Sequence, residues 1–301
     1  MRSNHDTEKK PQAQPVTDLP AESYPRTIWR QFRRHRLGMT SLVIFILLLL
    51  LALIGPYFVP YSYKQIAGKL NQPPSPQHWL GTDQIGRDVL ARLLYGMRIS
   101  IFVGFSATFI ATAIGVILGL ISGYFGGWAD VLIMRVTDMV MSFPYLLLVL
   151  VAAAIFEPGM WNIIIILGFV DWPGMARLVR GNVLSLREST YVESSRLAGL
   201  PEWKILVSDI LPNTTAPILV YFTSVMALSM LDEAALSFLS LGVMPPTPSL
   251  GNMLGGAQSL TALTSRPWLW LPPGLMIVLL VVSVNFIGDA LRDAFDPKSQ
   301  H

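Results

Sequence analysis

The sequence predicts an all-α membrane protein with six transmembrane helices, and three observations carry that prediction. The chain of 301 residues is 52% hydrophobic and only 14% charged, with a mean hydropathy of +0.50, a balance found in helical membrane proteins and not in soluble domains. Apolar runs near the length of a bilayer crossing recur along it, separated by turns rich in glycine, proline and charge. Five arginines, Arg26, Arg30, Arg33, Arg34 and Arg36, stand directly before the first run, and the positive-inside rule assigns that end to the cytoplasm. Cysteine is absent, which removes disulfides, thiolate metal sites and cysteine nucleophiles together.

Residues 1–36 read as a cytoplasmic N-terminal tail. Its first 25 or so residues are polar and proline-containing and are expected to be disordered. Trp29 and Phe32 among the arginines predict an amphipathic basic segment lying at anionic headgroups. A nucleic-acid role for the same arginines is set aside because they abut a span. The apolar run that follows is about 20 residues long and lacks a small-residue cleavage site, so 37–58 is read as a retained first span and not a signal peptide.

Residues 59–98 form an external loop holding QPPSPQ and then LGTDQIGRDVLARLLYGMRIS. Arg87, Arg92 and Arg98 put positive charge on a side that should be poor in it, but the denser cluster before the first span decides the orientation. Locally, Asp88 suits a helix N-cap with Gly86 in the turn before it.

The core region, 99–287, begins with a second span over about Ile99 to Ile121, in which Gly104, Gly115 and Gly119 with Ala107, Ala111 and Ala113 predict a close-packing face. Arg135 and Asp138, three apart, are positioned to pair, and the third span runs on to about Phe156. Trp161 to Val170 is too short to cross alone, so the fourth helix must continue through Asp171 toward Arg177 and Arg180. Asp171 is read as lying near the cytoplasmic interface, with an intramembrane carboxylate as the alternative. Thr214 to Leu231 is the fifth span, and AALSFLSL after Asp232 and Glu233 is too short to cross and reads as a re-entrant element. VMPPTPSLGNMLGG is an outer loop, Trp268 to Ile287 the sixth span, and 288–301 a cytoplasmic C-terminal tail.

One polar stretch interrupts this pattern. In 188–213, Thr190 and Glu193 have the S/T-x-x-E spacing of a capping box. Gly199 can take the left-handed conformation that ends a helix, Leu200 can fold back, and Pro201 can open a second helix that stops before Pro212. The product is two short helices with a sharp bend, a reading that fits any surface helix pair when taken alone.

The spacing Glu193-x5-Gly199-x11-Leu211-Pro212 resembles the EAA motif of ATP-binding-cassette (ABC) importer permeases. Ser194 and Ser195 replace its two alanines, and Asp209 stands where an apolar residue is usual. LGTDQIGRD, with Gly81, Thr82, Asp83, Gly86, Arg87 and Asp88, resembles an external motif of dipeptide and oligopeptide permeases. With YGMRIS, SGYFGGWAD, SFP, MARLVRG, LPN, LSFLSLG and NFIGDALRDAFDPK, the likeness to the C-type permease of the dipeptide/oligopeptide/nickel importer family covers about residues 79–297. The resemblance implies a type I ABC importer permease fold, MetI-like, and a coupling loop in which Glu193, Ser194, Ser195, Leu197, Gly199, Leu200, Trp203, Leu211 and Pro212 meet an ATPase. It further implies a homologous B-type permease, two ABC ATPases that carry the ATP and Mg²⁺, an extracytoplasmic substrate-binding protein, a bacterial or archaeal cytoplasmic membrane, and a peptide as the commonest cargo, with nickel, glutathione or an opine-like compound as the alternatives.

Two other classes compete with an importer subunit. An intramembrane enzyme lacks its parts, because His5, His35, His78 and His301 all lie outside the spans and no lysine lies within one. A secondary transporter should place coupling acids near the midplane of two related halves, whereas Asp138, Asp171, Asp232 and Glu233 read as lying near span ends and no repeat is visible. No G-x4-G-K-[ST] occurs, so the chain is expected to bind no cofactor and to leave ATP hydrolysis to a partner.

Overall fold

The computed structural model of the chain describes residues 24–295. The expected disorder of the extreme N-terminus falls on residues outside this range, as does the end of the C-terminal tail. The described residues contain no strand, and their helices run in order from α1 (Tyr24–Arg34) and α2 (Arg36–Ile54) to α3 (Val89–Phe125), α4 (Gly127–Ser142), α5 (Tyr145–Ile155), α6 (Met160–Val170) and α7 (Trp172–Leu186). The short α8 (Thr190–Leu197) and α9 (Glu202–Ile205) precede α10 (Leu211–Phe238), α11 (Leu250–Gly255), α12 (Leu260–Ser265) and α13 (Leu271–Phe295). Five helical stretches are long and apolar enough to cross a membrane, and a sixth crossing results if α4 and α5, bent by 87° at Phe143-Pro144, count as one span.

The apolar runs predict the spans well and their ends poorly. α3 begins at Val89, ten residues before the expected start, and extends for 37 residues, about 55 Å at 1.5 Å per residue and well beyond a ~30 Å hydrocarbon core. The expected external loop therefore gives up its last turns to helix. Arg92, assigned to that loop, is a buried helical residue. At the other end, α13 continues to Phe295, so the tail expected from residue 288 starts as helix.

α3 is the central mast. Gly104 lies against Met230 of α10, and Gly115 and Gly119 lie against Met175, Ala176 and Val179 of α7, the close approach that small residues permit where lipid offers no hydrophobic drive. Gly123 extends the same stripe to Val183. α1 does pack as an amphipathic helix, but its apolar side faces protein: Phe32 is buried with Ala290 and Ala294 of α13, while Trp29 stacks on Phe32 with ring centroids 5.9 Å apart and stays half exposed.

Two further expectations fail for identifiable reasons. Asp138 pairs with Arg177 of α7 at 2.9 Å and not with Arg135, because the fold brings a second helix within reach. The segment AALSFLSL is no separate re-entrant element, since α10 runs unbroken through Asp232 and Glu233 to Phe238. The charged pair did not end the helix because Tyr145 donates to Asp232 at 2.7 Å, and Ser100 and Ser237 donate to Glu233 at 2.7 Å each, which satisfies the carboxylates in place.

Candidate functional site

The bent stretch between α7 and α10 is the most specifically built surface of the molecule. Its first helix starts one residue earlier than the capping box requires: Ser189 is the N-cap and makes no side-chain cap. The Ser189 hydroxyl instead donates to the Leu186 carbonyl at 2.5 Å, serving the open C-terminus of α7. Thr190 is thus the first helical residue and Glu193 lies in the first turn, exposed and without a capping duty.

The end of α8 does follow the expected geometry. Gly199 has φ +75, its N–H donates to the Arg196 carbonyl, and the Leu200 N–H reaches the Ser195 carbonyl at 3.2 Å, the two bonds of a Schellman cap. Nothing lies within 4 Å of a Cβ built on Gly199, so any cost of a side chain there is purely backbone. Gly199→Val is therefore expected to insert normally but to loosen the bend by about 1–2 kcal/mol. In detergent solution trypsin should then cut at Arg196 or Lys204 roughly 5- to 30-fold faster than in wild type, since each 1.4 kcal/mol is a factor of ten in opening. An unchanged cleavage rate would mean the bend tolerates a left-handed valine.

The second helix does not stop before Pro212. α9 passes through a wider turn at Leu206–Ile210, in which the Leu211 N–H reaches back five residues to the Leu206 carbonyl, and continues into α10. Proline at the start of the new register has no N–H to leave unpaired, so the widened turn carries the chain past it. Leu211 is half-buried and Pro212 exposed beside it.

Underneath, the loop is riveted to the bundle. Val192, Ile205 and Ile210 are buried with Tyr124, Val179 and Val183, and Leu200 packs on the same cluster. The Tyr124 hydroxyl, at the end of α3, donates to the Glu202 carboxylate, and the Arg196 guanidinium lies over the Tyr124 ring, 5.0 Å from its centroid. Above this anchor, Arg180 grips Asp130 through two bonds of 2.5 and 2.7 Å, joining α7 to the start of α4. The outer side is the reverse: Leu197 and Trp203 are 84% and 66% exposed, with Ser194 and Glu193 exposed beside them. Ser195 lies near the Asp209 carboxylate and Ser208 donates to its Oδ1 at 2.8 Å, while its Oδ2 accepts no hydrogen bond among the described residues.

The LGTDQIGRD segment forms a second built feature, a knot at the other end of α3. Thr82 donates to the Lys69 carbonyl and accepts from the Gln72 N–H at 2.8 Å. Asp83 accepts from the Ile85 and Arg87 N–H groups and pairs with the Arg87 guanidinium at 2.7 Å. Asp88 caps α3 through the Ala91 N–H at 2.8 Å, and its other oxygen meets buried His78 at 2.8 Å. Gly81 (φ +70) and Gly86 (φ +83) are required twice over, since a Cβ at either would also strike a backbone carbonyl oxygen, of Gln72 or of Gly68.

Asp171 sits at the joint of α6 and α7, within a 27-residue helical stretch long and apolar enough to cross a membrane. The Tyr145 hydroxyl, just beyond the α4–α5 bend, lies 2.7 Å from Asp232 and 3.4 Å from Asp171, tying three spans at one point. Sequence reasoning missed Tyr124, Glu202 and Ser100 as partners of functional elements. The i to i+4 spacing of Glu233 and Ser237 in an apolar helix signals Ser237 as one partner of that carboxylate and carries no sign of Ser100.

The described residues thus form a helical bundle of five or six candidate spans with an anchored, partly apolar bend before α10. The chain belongs to the family described as binding-protein-dependent transport system inner membrane component, whose model matches residues 115–301, and residues 23–74 match the N-terminal TM domain of oligopeptide transport permease C. It is therefore a permease subunit of a binding-protein-dependent ABC importer, a multi-pass inner-membrane protein. The glutathione transport system permease protein GsiD of Escherichia coli O6:H1 is 43% identical over 272 residues, covering 90% of this chain and 89% of that protein. GsiD of Pectobacterium atrosepticum is 40% identical over 275 residues, covering 91% of each. Inward-facing structures of the MetNI methionine ABC transporter share the fold at TM-scores of 0.54 and 0.56, with 17% and 18% identity, over 68% of this chain and 96% and 97% of theirs.

Proposed function

We propose that this chain forms half of a heterodimeric translocation pathway with a homologous B-type permease, and that it imports a short peptide delivered by an extracytoplasmic binding protein. Glutathione, named for the relatives more than 40% identical to it, is the first cargo to test. ATP and Mg²⁺ belong to two ATPase subunits, and residues 190–213 are the surface on which one of them acts. The observation that carries this reading is the loop's two-sidedness: Val192, Ile205 and Ile210 are fully buried while Leu197 and Trp203 stand exposed. A rigid anchor below and an apolar face above suit an element that must transmit displacement to the spans.

Glu193 supplies the test. Exposed and free of capping, its charge has only a weak interaction with Arg196 within the loop, so Glu193→Gln should be mild. Glu193→Lys reverses the charge against a cationic groove, where a lost interfacial mate costs about 2–5 kcal/mol. The Lys variant should insert normally and lose 30-fold or more of the ATPase co-purified in detergent. Wild-type recovery of the ATPases with Glu193→Lys would assign the grip to Leu197 and Trp203 alone.

Orientation is tested in the same background. Because the chain has no cysteine, Gln77→Cys should react with a membrane-impermeant maleimide in intact cells, and Ser194→Cys should react only after permeabilisation. Labelling of Ser194→Cys from outside would overturn the coupling-loop reading.

A further inference from the structure

A cavity of about 700 Å³ forms a groove walled by α2, α3, α6 and α10. Phe45, Leu49 and Leu53 of α2 form one wall, and Phe102, Phe105 and Phe222 form the facing one. Its volume lies within the ~300–1,000 Å³ of small-ligand sites, and from Leu53 to Phe45 it runs about 12 Å along the helix axis. Polar groups occur at one end only, where Arg98 and Tyr95 stand beside Trp161.

Arg98 is exposed and forms no hydrogen bond or ion pair among the described residues. It sits in α3 nine residues past Val89, at the point where the polar part of that helix gives way to its apolar part. Tyr95 beside it stacks on Tyr63 of the 58–88 segment with centroids 4.0 Å apart, and Trp161 packs edge-on against Phe102. The rim is thus an aromatic and cationic collar at headgroup level, on the membrane face that carries the 58–88 segment. A cation there needs an anion, and no acidic side chain lines the groove.

We propose that this groove is a specific binding site for a glycerophospholipid of that leaflet, with the lipid phosphate on Arg98 and one acyl chain laid between α2 and the phenylalanines of α3 and α10. Charge complementarity at one end and a continuous apolar channel leading from it match an amphiphile. A protein partner of matching shape would have to bring a carboxylate to the rim and a row of apolar side chains below it. The first span already packs on the core through Leu48 and Ala52, and the bound lipid would fill the groove left beside that contact.

The experiment uses the intact transporter reconstituted in nanodiscs of phosphatidylethanolamine and phosphatidylglycerol, then extracted into mild detergent. Native mass spectrometry should find one phospholipid retained on this subunit through repeated detergent washes. Arg98→Lys should keep it, Arg98→Gln should retain it at least tenfold less, and Leu49→Trp, which fills the channel and leaves the arginine intact, should lose it as well. A photoreactive benzoyl-phenylalanine at Leu53 should give a product heavier by one phospholipid. Equal retention in wild type, Arg98→Gln and Leu49→Trp, or a cross-link at Leu53 to another polypeptide, would overturn the proposal, the latter by showing that a protein fills the groove. Should Arg98→Gln fail to insert, Leu49→Trp and the cross-link decide the matter without it.

Discussion

Glu233→Ala is expected to release residues 239–255 from the bundle. Glu233 is 0% exposed, and it collects two relays of hydrogen bonds. The Leu250 N–H donates to the Ser100 hydroxyl at 3.2 Å, and that hydroxyl donates to one carboxylate oxygen at 2.7 Å. The Val243 N–H donates to the Ser237 hydroxyl at 2.9 Å, and that hydroxyl donates to the other oxygen at 2.7 Å. One side chain therefore terminates the backbone of both the loop after α10 and the start of α11. Alanine removes two bonds to a buried carboxyl, each worth about 1.5–3 kcal/mol when the acceptor is charged, and leaves both hydroxyls without acceptors, a loss of about 3–6 kcal/mol. Glutamine restores one acceptor but presents an amide N–H to the other serine, whose hydroxyl then has no acceptor, so it should rescue partially. A single cysteine placed at Thr247 reports the opening: its modification rate should rise at least a hundredfold with Glu233→Ala and several-fold with Glu233→Gln. A rate unchanged in Glu233→Ala would mean that packing of Gly242 and Gly251 on α10 suffices to hold the segment.

That carboxylate also marks the boundary of what the sequence makes legible. The spans follow from apolar runs, and the bend at Gly199 follows from local stereochemistry that needs no partner. Glu233 and Asp171 were placed at span ends because an unpaired acid in hydrocarbon is costly. The residues that remove that cost, Ser100 for the one and Tyr145 for the other, are separated from them by 133 and 26 positions. Thr190 fails as a cap for a similar reason: Ser189, one residue earlier, is claimed by a carbonyl of the preceding helix, a competition invisible to a four-residue pattern. In each case the sequence shows the group that needs satisfying, and only the fold shows what satisfies it. The small-residue stripe of α3 was legible in part, because glycine spacing announces close contact without naming the helix that makes it.

The stripe carries the other large effect. At Gly119 a Cβ would lie 2.7 Å from the Ala176 carbonyl oxygen and 2.7 Å from Val179 Cβ. The first neighbour is backbone and the second is the root of a β-branched side chain, so no rotamer change can make room and the axes of α3 and α7 must part. Gly119→Ala should cost about 1–3 kcal/mol by overpacking, and Gly119→Leu more. α7 leads directly into residues 190–213, so parting it from α3 also moves the anchor that Tyr124 provides. Transport should therefore fall further than folded yield: a several-fold drop in purified protein for Gly119→Leu, and uptake per molecule reduced at least tenfold. Gly181, on the opposite side of α7, is the control. No atom lies within 4 Å of a Cβ built there, so Gly181→Ala gains only the helical preference of alanine, up to about 1 kcal/mol, and should transport like wild type. If Gly119→Leu matched Gly181→Ala in yield and uptake, α3 and α7 would not be in contact along this stripe.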